Sequence, residues 1–212
     1  LPNDDPMGQF LVFRVNGKRI FIKGATWGMD EMMKRISRET MEPAFRLEKE
    51  ANFNMVRNWT GENTEELFYE LADEYGLLVW NDFWITTDDT VDPNDHVLFM
   101  KNATDVVRRF RTHPSIAIWC PRNEGYAPQG LEPQLNKVVS KEDPTRYYHG
   151  NTLFLNTVTS GPYGFIKYRS QYYTSFANCF NTELGTPTIH TSNTITNLIT
   201  HDSTLPINAL RA

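Results

Sequence analysis

His113-Pro-Ser-Ile-Ala-Ile-Trp-Cys-Pro-Arg-Asn-Glu124 is the stretch on which the reading of this chain turns. Ile116 to Trp119 is short and apolar, with small and β-branched residues, and it stops at a polar tip carrying Arg122, Asn123 and Glu124. Such a run predicts a buried strand of a parallel sheet. A carboxylic acid just past it would lie on the rim formed by strand C-termini, where α/β barrels carry their active sites.

Outward from this strand, the chain alternates strand-like and helix-like segments. Asn16-Gly17 reads as a hairpin turn, followed by the apolar run Ile20 to Ala25. Ser37 is a candidate cap for a helix bearing Met41, Ala44, Phe45 and Ala51 at helical spacing. Phe53 to Trp59 is a second strand. Thr64 to Tyr75 is the clearest helix, with Leu67, Phe68, Leu71 and Tyr75 on one face and Gly76 as its stop. Leu77 to Trp80 is a third strand and Asn94 to Thr112 a helix. Leu131, Leu135, Val138 and Val139 mark another helix, broken at Asp143-Pro144. Arg146 to His149, Thr157 to Tyr163 and Cys179 to Glu183 are weaker strand candidates.

Strands alternating with helices of about 10 to 15 residues imply parallel βαβ units. An open doubly wound sheet and a closed barrel both fit. No Gly-x-Gly-x-x-Gly follows the first strand and no Gly-Lys-Ser/Thr loop exists, which counts against nucleotide-binding versions. The net charge of -5 is interspersed, with no basic stripe for nucleic acid. No apolar run approaches the roughly 18 residues of a membrane span. Cys120 and Cys179 read as free buried thiols. No cofactor is implied, and no metal site either, since His149 lacks further ligands at metal-binding spacing.

Retaining glycoside hydrolysis needs two carboxyl groups about 5 to 5.5 Å apart across the sugar, one an acid that later acts as base, the other an ionised nucleophile. Glu124 is the candidate for the first. Asn181-Thr-Glu183-Leu-Gly supplies the second at another strand end. In a barrel, the tips of the fourth and seventh strands can meet across the mouth.

The surrounding residues resemble the catalytic barrel of glycoside hydrolase family 2. The resemblance rests on Asn16-Gly-Lys-Arg-Ile-Phe-Ile-Lys-Gly24, Asn54-Met-Val-Arg-Asn-Trp59 and Phe68-Tyr-Glu-Leu-Ala-Asp-Glu-Tyr-Gly-Leu-Leu-Val-Trp-Asn-Asp-Phe83. It continues through His113-Pro-Ser-Ile-Ala-Ile-Trp119, Arg122-Asn-Glu124 and Thr182-Glu-Leu-Gly185, in order over roughly residues 13 to 195. Trp59 and the Trp80-Asn-Asp-Phe83 ending are most similar to the β-mannosidase and exo-β-glucosaminidase branch.

The resemblance implies a (β/α)8 TIM barrel and an exo-acting, retaining β-glycosidase, most similar to a β-mannosidase. Glu124 would be the acid/base and Glu183 the nucleophile. Asn123 would bond the sugar 2-hydroxyl, Arg57 would orient the nucleophile and keep it ionised, and Tyr163 would donate to it. Trp27, Asp30, Trp80 and Asp82 would share the rim, with Asp30 at a substrate-contacting position of the mannosidase-like branch. Trp80 also fits a place in the barrel core. His149 would line the pocket.

Some features depart from the family. The Trp-Gly-Gly-Gly pattern is here Trp59-Thr-Gly-Glu62, and Cys120-Pro121 replaces the small residues usual before the Asn-Glu pair. Seven strand candidates precede Ala212, so the barrel is expected to lack its last strand. Residues 1–15 read as the end of a preceding β-sandwich domain or a linker, and 16–212 as a partial catalytic barrel. The expected partners are an oligosaccharide or glycoside substrate and other domains of the parent chain, with neither nucleic acid nor membrane. An isolated open barrel would be unstable or form a homo-oligomer. The competing readings are a carbohydrate-binding fragment without turnover and an unrelated doubly wound α/β protein, in which the two glutamates would lie far apart.

Overall fold

The computed structural model describes residues 11–28, 33–86, 92–128, 130–153, 161–174, 180–185 and 190–198. It opens with an antiparallel hairpin of β1 (Phe13–Val15) and β2 (Lys18–Ile20). Asn16 and Gly17 both adopt positive φ, 50° and 78°, the backbone that a tight two-residue hairpin turn requires.

The run Ile20 to Ala25, expected as one strand, is divided. β2 ends at Ile20, and β3 (Gly24–Trp27) begins the parallel sheet beside β4 (Met55–Asn58). The break follows from the two partners: β2 pairs with the hairpin, whereas the Lys23 amide donates to the Asn54 side chain and its carbonyl accepts from the Asn54 amide. A side chain at Gly24 would collide with the Met55 carbonyl, so only glycine allows β3 and β4 to approach there.

β5 (Leu78–Asp82), β6 (Ile116–Cys120) and the two-residue β7 (Tyr147–Tyr148) complete a five-stranded sheet in the order β3-β4-β5-β6-β7. Every neighbouring pair is parallel. A register shift at Val79/Trp80 sets Trp80 opposite Ile118. This all-parallel order, with a helix after each of the first four strands, is a run of βαβ units. It has the barrel topology, and the barrel is not closed among the described residues.

Of the two further strand candidates, Thr157 to Tyr163 lies mostly outside the described residues. In Cys179 to Glu183, Cys179 is outside them and Phe180 makes an isolated bridge rather than a strand. Backbone hydrogen bonds from Gly161 N to Glu183 O (2.7 Å) and from Gly185 N to Pro162 O (3.0 Å) tie the two segments together.

The helices form as their spacing predicts. α1 (Arg38–Glu50) starts at a capping box in which Ser37 and Thr40 exchange side-chain and backbone bonds. α2 (Glu66–Tyr75) stops at Gly76, which is left-handed at φ 66°. α3 (His96–Phe110) is capped by Asp95, and α4 (Leu131–Glu142) ends before Asp143-Pro144. Met41, Phe45, Phe68, Leu71, Val107, Phe110, Leu135 and Val139 from these helices meet Val56, Val79, Ile116 and Trp119 of the sheet in one apolar layer. Each such fully buried side chain contributes roughly 1.5–3 kcal/mol.

The other face of the sheet carries a smaller cluster of Met55, Trp80, Ile118 and Cys120, and Phe13 of the hairpin packs against it. Strand alternation separates the two faces: Val56 and Val79 face the helices, Met55 and Trp80 the barrel interior.

Candidate active site

Above the inner cluster, at the C-terminal ends of the strands, the interior residues become polar. Arg57 follows Met55 by two positions on β4, and Asp82 follows Trp80 by two on β5, so alternation carries both inward. Arg57 is 5% exposed and fully engaged. Its Nε and Nη2 donate to Asp82 Oδ2 at 3.0 and 2.6 Å. Nη2 also reaches Asn123 Oδ1 at 2.7 Å, and Nη1 reaches Glu183 Oε1 at 2.6 Å. Tyr163 donates to the other oxygen, Glu183 Oε2, at 2.7 Å. Arg57 and Tyr163, from two separated segments, therefore converge on the Glu183 carboxylate, and Asp82 and Asn123 join the cluster through Arg57.

Burial works against the charge of Arg57, yet Asp82 and Glu183 outweigh it and hold its pKa above the ordinary arginine value. Burial likewise pushes the Asp82 carboxyl up, opposed by Arg57 and by bonds from the Thr60 amide and the Trp80 indole. Cys120, buried beside them, has its thiol raised well above the usual value by burial and then by Asp82, so it is no nucleophile.

Glu124 follows β6 at the strand tip with φ 47°, a left-handed backbone, and Gly125 continues at φ 84°. Non-glycine residues adopt this region at a cost, and such positions cluster at functional sites. Two contacts hold the turn: the Glu124 amide donates to Thr152 Oγ1 at 2.7 Å, and the Asn123 amide to the Ile85 carbonyl at 3.0 Å. Arg122 braces the loop through the carbonyls of Thr86 and Tyr126, both at 2.9 Å.

Of the residues named from sequence, Arg57, Asn123, Glu183 and Tyr163 meet directly, and Glu124 adjoins them through Asn123. Trp27 goes elsewhere. It pairs in register with Asn58 rather than Arg57, faces outward, and packs against Phe45 and Phe68 at 4.8 and 5.6 Å. Alternation excludes it from the rim, where it was expected. Asp82, expected on the rim, is buried with its oxygens occupied by protein donors. Trp80 is an interior core residue. His149 is fully buried after β7, edge-on to Trp80 at 5.2 Å and beside Tyr147. Asp30 lies outside the described residues.

Sequence reasoning missed Thr152 and Asn181. Thr152 orients the Glu124 amide, while its carbonyl accepts from Thr182 Oγ1 at 2.8 Å, joining the loops of both glutamates. Asn181 accepts from the Glu183 amide and donates to the Gly161 carbonyl, both at 2.9 Å. Threonine and asparagine are common in loops, so neither carried a signal. Also unforeseen is the lock between the ends of β4 and β5, where Asn58 donates to Asn81 Oδ1 at 2.8 Å and Tyr69 to the same atom at 2.7 Å. Among the described residues, no group of three His, Cys, Asp or Glu is placed to hold a metal ion, and no helix is long and apolar enough to cross a membrane.

A parallel α/β sheet with carboxylates and a buried arginine gathered at its strand C-termini defines an α/β barrel with an acidic mouth. The chain belongs to the glycosyl hydrolases family 2 TIM barrel domain, which matches residues 9–191. It is 32% identical over 174 residues to the mannosylglycoprotein endo-beta-mannosidase of Lilium longiflorum, covering 68% of this chain and 18% of that protein. It is 38% identical over 134 residues to beta-mannosidase B of Thermothelomyces thermophilus, covering 62% and 16%. The solved beta-D-mannosidase of Dictyoglomus thermophilum superimposes with a TM-score of 0.76 at 28% identity, over 94% of this chain and 28% of that one. The exo-chitosanase of Amycolatopsis orientalis shares the fold, with a TM-score of 0.74 at 19% identity over 91% of this chain and 25% of that one. The chain thus spans less than a third of the length of these relatives.

Proposed function

We propose that this chain supplies the acid/base and nucleophile of a retaining exo-β-glycosidase acting on terminal β-linked sugars, with β-mannosides as the leading substrate. The convergence of Arg57 and Tyr163 on the two oxygens of Glu183 carries the reading. A carboxylate held by a guanidinium and a phenol is oriented, with an electron pair free for the anomeric carbon.

In this scheme Glu183 attacks the anomeric carbon while Glu124 protonates the departing glycosidic oxygen. A covalent glycosyl ester forms and the aglycone leaves. Glu124, now ionised, takes a proton from water as that water attacks the same carbon, and Glu183 is released. Asn123 is held by Arg57 beside Glu183, where its side-chain nitrogen can meet the 2-hydroxyl as the oxocarbenium-like charge develops. The left-handed turn at Glu124 places the acid at the tip of β6, next to Asn123. In domain terms, residues 1–15 are the end of a preceding β-sandwich domain or a linker, and 16–212 form part of the catalytic barrel.

The test is turnover of aryl β-glycosides by the full-length protein, with the mannoside, glucosaminide, galactoside and glucuronide compared. Glu183→Gln is expected to reduce kcat by about 10³-fold or more. Aglycone release that survives this substitution would remove Glu183 from the nucleophile role.

A further inference from the structure

We propose that Asp82 is a positioning residue of this site, a carboxylate anchored by the Trp80 indole and the Thr60 amide that holds Arg57 in the one orientation able to reach Glu183 and Asn123 together. The proposal rests on the glycosidase reading above and assigns a role to a residue that reading leaves without one.

Every hydrogen bond described to Asp82 comes from a donor. Oδ2 accepts from Arg57 Nε (3.0 Å), Arg57 Nη2 (2.6 Å) and the Thr60 amide (3.1 Å), and Oδ1 accepts from Trp80 Nε1 (3.0 Å). Four donors surround the carboxyl, and the Arg57 charge beside it favours the carboxylate against the burial that pushes its pKa up. It is buried beneath the rim, where a substrate hydroxyl does not reach it.

A guanidinium is planar, so fixing Nε and Nη2 on Asp82 also fixes where Nη1 points. That direction ends on Glu183 Oε1, 2.6 Å away. Without Asp82, the Arg57 fork is free to turn and take Glu183 with two nitrogens, the geometry that guanidinium and carboxylate prefer. The second oxygen of Glu183, which now accepts from Tyr163, would then be contested. Asp82 thus both aims Arg57 and offsets its charge.

Asp82 itself is held from two directions. Trp80 lies two residues earlier on the same face of β5, so its indole points at the same carboxylate. The Thr60 amide reaches Asp82 from a residue at φ 48°, ψ 23°, a left-handed backbone disfavoured for a β-branched residue. The strain sits at the one residue whose amide completes the Asp82 cradle.

The test is a double-mutant cycle on the full-length protein with aryl β-glycosides, comparing Asp82→Asn, Arg57→Lys and the pair, with melting temperatures recorded alongside. Asp82→Asn is expected to lower kcat about 30-fold or more while KM changes less than about threefold. In the Arg57→Lys background the same change is expected to cost less than about threefold, because the group through which Asp82 acts is gone. Losses in kcat that multiply would overturn the proposal, as would an Asp82→Asn enzyme with unchanged kcat. If Asp82→Asn does not fold, Trp80→Phe replaces it in the cycle. This variant keeps both charges and frees Oδ1, and the same non-additive loss in kcat is expected, an unchanged kcat again overturning the idea. A wild-type protein that releases no aglycone from any aryl β-glycoside would instead sink the glycosidase reading, an outcome distinct from failure of the cycle.

Discussion

Arg57 Nη1 stands 2.6 Å from Glu183 Oε1, although 126 positions separate the two residues in the chain. The contact is made by a nearly buried cation on β4 and a carboxylate in a loop that belongs to no regular strand among the described residues. The same guanidinium binds Asp82 and Asn123, so one side chain ties the nucleophile candidate to two neighbouring strand tips.

That shared use makes Arg57→Lys a severe change despite its conserved charge. An ammonium is a compact point charge and cannot span Asp82, Asn123 and Glu183 as a fork does. A kcat/KM loss of about 10²-fold or more on aryl β-glycosides is expected, measured by steady-state kinetics. Wild-type-like kinetics would show that charge alone suffices.

The loop after β4 offers a pair of opposite effects. Thr60→Gly keeps the amide that binds Asp82 and relieves a left-handed β-branched residue, so the melting temperature is expected to rise by about 1–3 °C. Gly61→Ala places a Cβ 2.5 Å from the Asp82 carbonyl at φ 63°, and a drop of several degrees is expected. Thermal melts of both variants decide it, and a stabilising Gly61→Ala would contradict the close approach.

His113 joins the loop before β6 to α2. Its ring lies 2.7 Å from Asp73 Oδ2 and 3.0 Å from Glu66 Oε1. Burial disfavours the imidazolium, but the bonds to Asp73 and Glu66 outweigh it and the pKa rises above the ordinary 6.5. A raised value means the folded state holds the proton more tightly. The stabilisation is therefore complete below pH 6.5 and is lost as pH climbs through the folded value. His113→Asn is expected to lower the melting temperature by about 2–4 °C more at pH 6 than at pH 9. Equal losses at both would rule out a proton-linked clamp.

Glu48 on α1 also loses stability as pH rises, but here the protonated form is the neutral one and burial is the cause. Burial raises its carboxyl to about 7, and its Oε2 is buried with no hydrogen-bond partner among the described residues. The folded state prefers the protonated form, so this residue costs stability as pH rises from 4.5 through 7. Glu48→Gln removes that ionisation. Its melting temperature relative to wild type is expected to improve by about 2–4 °C between pH 5 and pH 8, and a pH-independent difference would exclude the linkage.

The sequence by itself determined what depends on near neighbours along the chain. Helical spacing located α1 to α4 to within a few residues, Asn16-Gly17 announced the hairpin, and the apolar run ending in Arg122-Asn123-Glu124 placed an acid at a strand tip. Family motifs pointed to Arg57, Asn123, Tyr163 and Glu183, and these four meet.

Only the tertiary structure decided which way each side chain turns and what it touches. Trp27 and Arg57 lie near the ends of adjacent strands, but the register of β3 on β4 sends one outward to Phe45 and the other inward to Glu183. A shift of one residue would exchange those faces. Asp82 read as a rim carboxylate until its four donors were in place, and Thr152 and Asn181 read as ordinary loop residues. Their roles rest on hydrogen bonds between segments brought together by barrel curvature, a relation that no local pattern encodes.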